Sequence, residues 1–183
     1  MPDAESHRDA GNQQDHFFME KALAIARDGL GHGELPIGAV VVANNQVIAS
    51  AYTEEQTQGR LLVHADLLAL QAADQIRPFP APRRDVTLYV NLEPCLMCMG
   101  AAMSMFIGRV CYGLESPGDG AAEMIRNFKP RADGFPAYHA PLLRGGVLRE
   151  RNFDLLNEYL HRKPDGPMAN WVRHLLHAAG GSA

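Results

Sequence analysis

The chain has very little cysteine. Only three of its 183 residues are cysteine, which is too few to build a disulfide framework. Two of them, Cys95 and Cys98, are separated by two residues, a spacing that in a reducing compartment indicates metal or redox chemistry. Cys111 stands alone in an apolar segment, and we expect it in the core. The cysteine content therefore favours a reduced, metal-binding protein.

The sequence also lacks any long apolar run. A membrane helix needs roughly 20 consecutive apolar residues, and no segment approaches that length. The N-terminus, MPDAESHRDAGNQQD, is polar and does not have the apolar stretch of a signal peptide. We expect residues 1–14 to form a flexible leader and residues 15–183 a single domain with a C-terminal helical extension. These features favour a cytoplasmic protein.

Net positive charge is absent as well. The chain has 17 Lys and Arg against 21 Asp and Glu, a formal net charge of -4. Nucleic-acid affinity depends largely on cations that neutralise phosphates, so this balance argues against a nucleic-acid partner and favours a small-molecule substrate. Residues 126–151 nevertheless hold six basic residues against two acidic ones, which leaves a local basic patch open.

What the sequence does contain is an alternation of strand and helix patterns. Two β-branched runs flank Asn44-Asn45, a pair typical of a tight hairpin turn. Residues 64–76 have helical spacing of apolar side chains, residues 86–92 form a buried strand, and residues 95–106 return to the helical pattern. Further predicted elements are a first helix at 15–29, a strand within 145–150 and two C-terminal helices. The alternation predicts an α/β layered domain with a partly parallel sheet.

One constellation of residues carries metal chemistry. Cys95 and Cys98 stand at i and i+3 on the first turn of a predicted helix, so both thiolates point the same way. His64, at the start of another helix, offers a third ligand and leaves the fourth tetrahedral position for water. Asp66, two residues later, is placed to accept a proton from that water. The competing interpretations are a structural zinc, for which no fourth Cys or His is near in the sequence, and an acidic helix cap at Asp66.

Four segments occur in a fixed order: GELPIGAVVV, HAD, LEPCLMCMGA and RVCYG. Together they resemble the zinc-dependent cytidine/adenine/guanine deaminase superfamily, whose signature is H-x-E…P-C-x-x-C. The resemblance implies a three-layer α/β/α domain with a mixed sheet of about five strands, a Zn²⁺ cofactor and a homodimer. It assigns His64, Cys95 and Cys98 to zinc and the proton shuttle to residue 66. It also implies substrate contacts from backbone N–H groups near Ala65 and Cys95.

Two positions depart from that family pattern. The family's shuttle is glutamate, whereas Asp66 is shorter by one methylene, roughly 1.3 Å of reach. Misplacing a catalytic group by about 1 Å can cost on the order of a hundredfold in rate. Thr53 stands where the tRNA adenosine deaminases of this superfamily carry a substrate-contacting asparagine. The segment that ends in this histidine motif, GRLLVHAD, also lacks the Asp-Pro-Thr-Ala that leads into the histidine in those enzymes. Both departures weigh against a tRNA substrate.

Three further acids are candidates for the substrate site. Glu34, in GELPIGAV, either contacts a substrate amidine or braces the site. Asp119 and Glu123 lie in the loop after the strand that contains RVCYG, from which they would reach a pocket. The alternative for both is that they are ordinary solvated loop acids.

The favoured function is therefore a zinc-dependent hydrolytic deaminase. We expect it to remove an exocyclic amine from a free nucleobase or a related guanine-, cytosine- or triazine-like heterocycle, by zinc-hydroxide attack with Asp66 as proton shuttle. The alternatives are a tRNA adenosine deaminase and a zinc-binding scaffold that has lost catalysis, the latter suggested by the aspartate.

Overall fold

The computed structural model describes residues 4–76, 83–129 and 138–180, with side chains described from residue 11 onward. Seven helices and five strands occur in these ranges. In chain order they are α1 (Ala4–Gly31), β1 (Gly38–Ala43), β2 (Gln46–Tyr52), α2 (Glu55–Gln58), α3 (Ala65–Ile76), β3 (Thr87–Leu92), α4 (Leu96–Ser104), β4 (Arg109–Leu114), α5 (Ala122–Arg126), β5 (Leu142–Arg144), α6 (Arg149–Arg162) and α7 (Pro167–Ala178).

The five strands form one mixed sheet in the order β2-β1-β3-β4-β5. Strand β1 pairs antiparallel with β2 and β3, whereas β3, β4 and β5 run parallel. The carboxyl ends of β3 and β4 therefore meet at one edge of the sheet, together with the start of β1 and the end of β2. This edge is where the residues of the functional site collect.

Helices cover both faces of the sheet. Alternate side chains of β1 point to opposite faces, as the two-residue period of a strand requires. Val40 and Val42 pack with the apolar residues of α1, α6 and α7. Ala39 and Val41 pack with those of α3, α4 and α5. The three-layer α/β/α architecture with a mixed five-stranded sheet is thus confirmed.

The β1–β2 hairpin turns where the sequence predicts. Asn44 and Asn45 have φ angles of +50° and +59°, and asparagine tolerates this left-handed region better than most residues. Two successive residues with positive φ are typical of the type I′ turn, whose twist matches that of the strands it connects.

Two predicted boundaries were wrong. Helix α1 begins at Ala4 and not at Asp15, so most of the expected leader is helical. Two side chains in its described part make tertiary contacts: Asn12 accepts a hydrogen bond from Arg144, and Gln14 donates one to Asn45. The strand expected within 145–150 lies upstream as β5. Gly146 and Leu148 have positive φ, a conformation that ends the extended chain and turns it into α6.

A buried carboxylate fastens α1 to the sheet. Asp15 is fully buried, accepts hydrogen bonds from the Tyr89 hydroxyl at 2.9 Å and two Arg109 nitrogens at 2.7 Å each, and pairs with Arg144. Burial by itself would raise the pKa of Asp15, but the hydrogen bonds from Arg109 and Tyr89 and the charges of the two arginines lower it below 3.8. This one side chain therefore contacts β3, β4 and β5. No helix among the described residues is long and apolar enough to cross a membrane.

Candidate metal centre and active-site cavity

The three predicted zinc ligands stand at the starts of two helices. His64 immediately precedes α3, and its carbonyl accepts the N–H of Leu68 at 2.9 Å. Cys95 is the N-cap of α4, and its carbonyl accepts the N–H of Met99 at 2.9 Å. Cys98 lies in the first turn of α4. The positive ends of both helix dipoles therefore point toward this cluster, where they favour thiolates.

The distances within the cluster fit a zinc ion. The Nδ1 atom of His64 lies 3.6 Å from Sγ of Cys95 and 3.6 Å from Sγ of Cys98. All three donor atoms lie within 4.8 Å of one another. A tetrahedral zinc with bonds of about 2.3 Å to sulfur and 2.0 to 2.1 Å to nitrogen separates nitrogen from sulfur by about 3.6 Å. The donor set and its spacing thus match a zinc site with one position left for solvent or substrate.

Hydrogen bonds inside the cluster distribute its protons unequally. Those with Cys98 and His64 lower the pKa of Cys95 to about 3. The hydrogen bond with Cys95 and burial raise the pKa of Cys98. The hydrogen bond with Cys95 raises the pKa of His64 to about 9. Because zinc binds thiolate and neutral imidazole, its binding releases the protons on Cys98 and His64.

Asp66 lies in the first turn of α3 with only 4% of its surface exposed. Its carboxylate accepts the backbone N–H of Leu67 at 3.1 Å. Burial raises the pKa of Asp66, and a hydrogen bond with the Cys98 thiol opposes that rise. A buried carboxyl with an elevated pKa beside a metal site is a suitable proton carrier at neutral pH.

A cavity of about 190 Å³ adjoins these residues. Four carboxylate residues line it, and neither Lys nor Arg occurs in the lining among the residues that the structure describes. Apolar side chains from the segment just before β1, from β3 and from α7 form much of the remaining wall. The acids are Glu55, Asp66, Glu93 and Asp119, and the apolar residues include Leu35, Ile37, Val90, Leu92, Met168 and Trp171.

The predicted substrate residues divide into two groups. Thr53, Ala65, Cys95 and Asp119 line the cavity, whereas Glu34 and Glu123 do not. Their roles as substrate contacts stay predictions.

Glu34 has the geometry of a brace. Its carboxylate is fully buried and accepts the backbone N–H groups of Gln56 at 3.0 Å and Thr57 at 2.7 Å. It therefore holds α2 in place, which is the bracing alternative left open by the sequence.

Glu55, Met168 and Trp171 are among the cavity residues that were not predicted from the sequence. Glu55 starts a four-residue helix that has no periodic pattern to reveal it. Met168 and Trp171 belong to α7, seventy or more positions beyond the nearest ligand in the chain, Cys98. The single tryptophan in an amphipathic helix was the one available signal, and it is equally typical of core packing.

Comparisons with known proteins agree with this geometry. Residues 12–114 match the family model described as the cytidine and deoxycytidylate deaminase zinc-binding region. A tRNA-specific adenosine deaminase from Bacillus subtilis is 36% identical over 115 residues, which are 62% of this chain and 70% of that protein. One from Agrobacterium fabrum is 32% identical over 148 residues, 80% of this chain and 93% of that protein.

Solved structures are similar as well. One from a study of A-to-I editing by tRNA:A34 deaminases superposes with a TM-score of 0.63 at 32% identity, covering 76% of this chain and 98% of that one. A guanine deaminase from Nitrosomonas europaea superposes with a TM-score of 0.60 at 22% identity, covering 79% and 83% of the two chains. The second likeness supports the fold alone. With the family match spanning more than half of the chain, this protein belongs to the cytidine and deoxycytidylate deaminase zinc-binding family and is a deaminase.

Proposed function

We propose that this deaminase removes an exocyclic amine from a small heterocycle, a free nucleobase or a close analogue. The observation that carries the proposal is the lining of the cavity, which in the described part of the chain contains four carboxylate residues and neither Lys nor Arg. An acidic cavity repels phosphate groups and favours a neutral or basic ring that presents N–H donors.

The size of the cavity supports the same substrate class. Pockets for drug-sized ligands occupy about 300 to 1,000 Å³, whereas this cavity encloses about 190 Å³. One or two fused rings suit such a volume better than a nucleotide. Trp171 and Met168 of α7 form part of the wall, and an aromatic face there is suited to stack on a planar ring.

The residues divide the chemistry among them. His64, Cys95 and Cys98 would hold zinc, which when bound lowers the pKa of a water from 15.7 to about 7 and so supplies a nucleophile at neutral pH. As the water oxygen bonds to the ring carbon that carries the amine, Asp66 takes one water proton and passes it to the exocyclic amine. The C–N bond then breaks and ammonia leaves, while the second water proton moves to the adjacent ring nitrogen and the ring carbon becomes a carbonyl. Backbone N–H groups at the helix starts, near Ala65 and Cys95, orient the ring.

Ammonia release tests the proposal. The zinc-loaded protein is incubated with a panel of guanine, cytosine, adenine, their nucleosides and amino-triazines. We expect release from at least one free base, loss of that release after chelation, and recovery when zinc is returned. No release from any member of the panel by a fully zinc-loaded protein would rule out the small-molecule substrate.

A tRNA adenosine is the second candidate, favoured by the tRNA-specific adenosine deaminases among the relatives, which are 29 to 36% identical to this chain. The basic segment 126–151 gives it limited support. Arg144 pairs with Asp15, Arg149 with Glu115 and Arg151 with Glu20, which leaves fewer cations for phosphates. This candidate predicts salt-sensitive binding of an anticodon stem-loop and conversion of its adenosine to inosine. Absence of binding at low salt would count against it.

Homodimer formation, which the family resemblance implies, stays a prediction. Sedimentation equilibrium of the full chain tests it. Twice the 20.0 kDa mass of one chain is the expected result.

A further inference from the structure

We propose that Glu55 is a positioning residue for the metal centre: its carboxylate accepts the outer imidazole proton of His64 and thereby orients the ring for zinc. The proposal rests on the zinc site alone. It therefore holds or fails independently of which amine is the substrate.

The His64 ring presents one particular nitrogen to the metal site. Nδ1 of His64 is the atom that lies 3.6 Å from both thiol sulfurs, so Nδ1 is the ligand atom. A neutral imidazole that ligates through Nδ1 carries its proton on Nε2. The outer nitrogen is then a hydrogen-bond donor that needs an acceptor, because the ring is about two-thirds buried.

Glu55 offers the acceptor within reach of that proton. Oε1 of Glu55 lies 3.7 Å from Nε2 of His64, and about 30% of each side chain is exposed. This separation exceeds a hydrogen bond by about 0.7 Å, so the proposed contact requires the two side chains to approach by that distance when the ring ligates zinc. Zinc-bound histidines almost always donate their second N–H to such a carboxylate or carbonyl, which fixes the tautomer and raises the basicity of the ligand.

Neighbouring contacts constrain the position of Glu55. The Thr53 hydroxyl, itself buried, lies 3.2 Å from both Oε2 of Glu55 and the carbonyl oxygen of Val63, and its contact with Oε2 leaves Oε1 for the histidine. The fully buried Glu34 fixes the backbone of α2 through the N–H groups of Gln56 and Thr57. A connected series of contacts thus runs from Glu34 through α2 to Glu55 and His64. Both Thr53 and Glu34 gain a physical role that requires no contact with substrate.

Zinc affinity of the full chain tests this role. The metal-free protein is titrated with zinc in competition with a chelator of known affinity. Removing an outer carboxylate partner typically weakens metal binding 10- to 100-fold, which is the loss we expect for Glu55→Ala. Glu55→Gln keeps a neutral acceptor oxygen and should lose less. The matched control is Glu54→Gln, which removes the same charge one residue away, outside the cavity lining.

A spectroscopic readout separates positioning from general stability. In protein with ¹⁵N-labelled histidine, the zinc-bound wild type should show a slowly exchanging Nε2–H proton for His64. That signal should be lost in Glu55→Ala and retained in Glu55→Gln. Wild-type zinc affinity in a folded Glu55→Ala variant, or an equal loss of affinity in Glu54→Gln, would overturn the proposal. If Glu55→Ala does not fold, the affinity and the Nε2–H signal of Glu55→Gln decide.

Discussion

Replacing Asp66 with asparagine isolates the proton-transfer step. Asparagine has the same shape, and its amide oxygen can still accept the N–H of Leu67, which lies 3.1 Å from the carboxylate. The buried position on α3 and the three metal ligands should therefore be unchanged. What is lost is the ability to take a proton from water and give it to the leaving amine.

The expected magnitude follows from that single loss. General acid–base catalysis typically contributes 10²- to 10⁴-fold to the rate, so Asp66→Asn should lower kcat by that factor. At about 1.36 kcal/mol for each tenfold change, the barrier rises by about 3 to 5 kcal/mol. KM should change by much less, because the shuttle acts mainly in the transition state.

The assay is continuous detection of ammonia at saturating substrate, with zinc content measured on the same sample. Asp154→Asn is a suitable control, because Asp154 is an exposed residue of α6 outside the cavity lining. If Asp66→Asn keeps more than a tenth of the wild-type kcat while holding one zinc per chain, the assignment of Asp66 as proton shuttle is refuted.

Four further predictions concern stability, its pH dependence, the cavity wall and the metal. Asp15→Ala leaves Arg109 and Arg144 without their buried partner and should cost about 3 to 5 kcal/mol, lowering Tm by about 6 to 20 °C in a thermal melt; unchanged Tm would contradict this. The pKa of Asp15 in the folded protein lies below its ordinary value of 3.8. The contribution of Asp15 to the free energy of unfolding is therefore complete above pH 3.8 and is lost as the pH falls toward the folded-state pKa. Acid titrations of the wild type should show a steeper loss of stability in that range than those of Asp15→Asn. Trp171→Ala should raise KM about 2- to 10-fold with zinc content unchanged, as expected for a lost stacking contact of 0.5 to 1.5 kcal/mol, and an unchanged KM would remove Trp171 from the substrate site. Removal of zinc by a chelator should abolish turnover and lower Tm, and zinc but not magnesium should restore both.

The parts of the site that depend on local spacing were predictable from the sequence. Cys95 and Cys98 share one helical turn, and His64 and Asp66 stand two residues apart, so short motifs specify both halves of the metal centre. The sheet was predictable for the same reason, since β3 and β4 are strong apolar runs and the Asn44-Asn45 turn is distinctive. The sequence order of these segments was enough to indicate the family.

The parts that depend on tertiary contacts were not predictable. The polar residues before Asp15 resemble a leader in sequence, because the contacts of Asn12 and Gln14 with the rest of the fold are hydrogen bonds, which leave no apolar pattern. Glu55 begins a helix too short to have a pattern, and Trp171 reaches the cavity only because α6 and α7 fold back over the sheet. Asn12, Gln14 and Trp171 meet partners distant in the chain, and Glu55 meets His64 only through the turn of the chain after α2, so periodic patterns did not indicate these contacts.

We propose deamination of a small ring, and not of an adenosine in RNA, with Asp66 as the proton carrier beside the residues that would hold zinc. Side-by-side measurement of product from free bases and from an anticodon stem-loop, with the same zinc-loaded protein, tests it most directly. We expect zinc-dependent ammonia release from at least one free base and no inosine in the stem-loop. Inosine in the stem-loop, with no ammonia from any free base, would contradict the account.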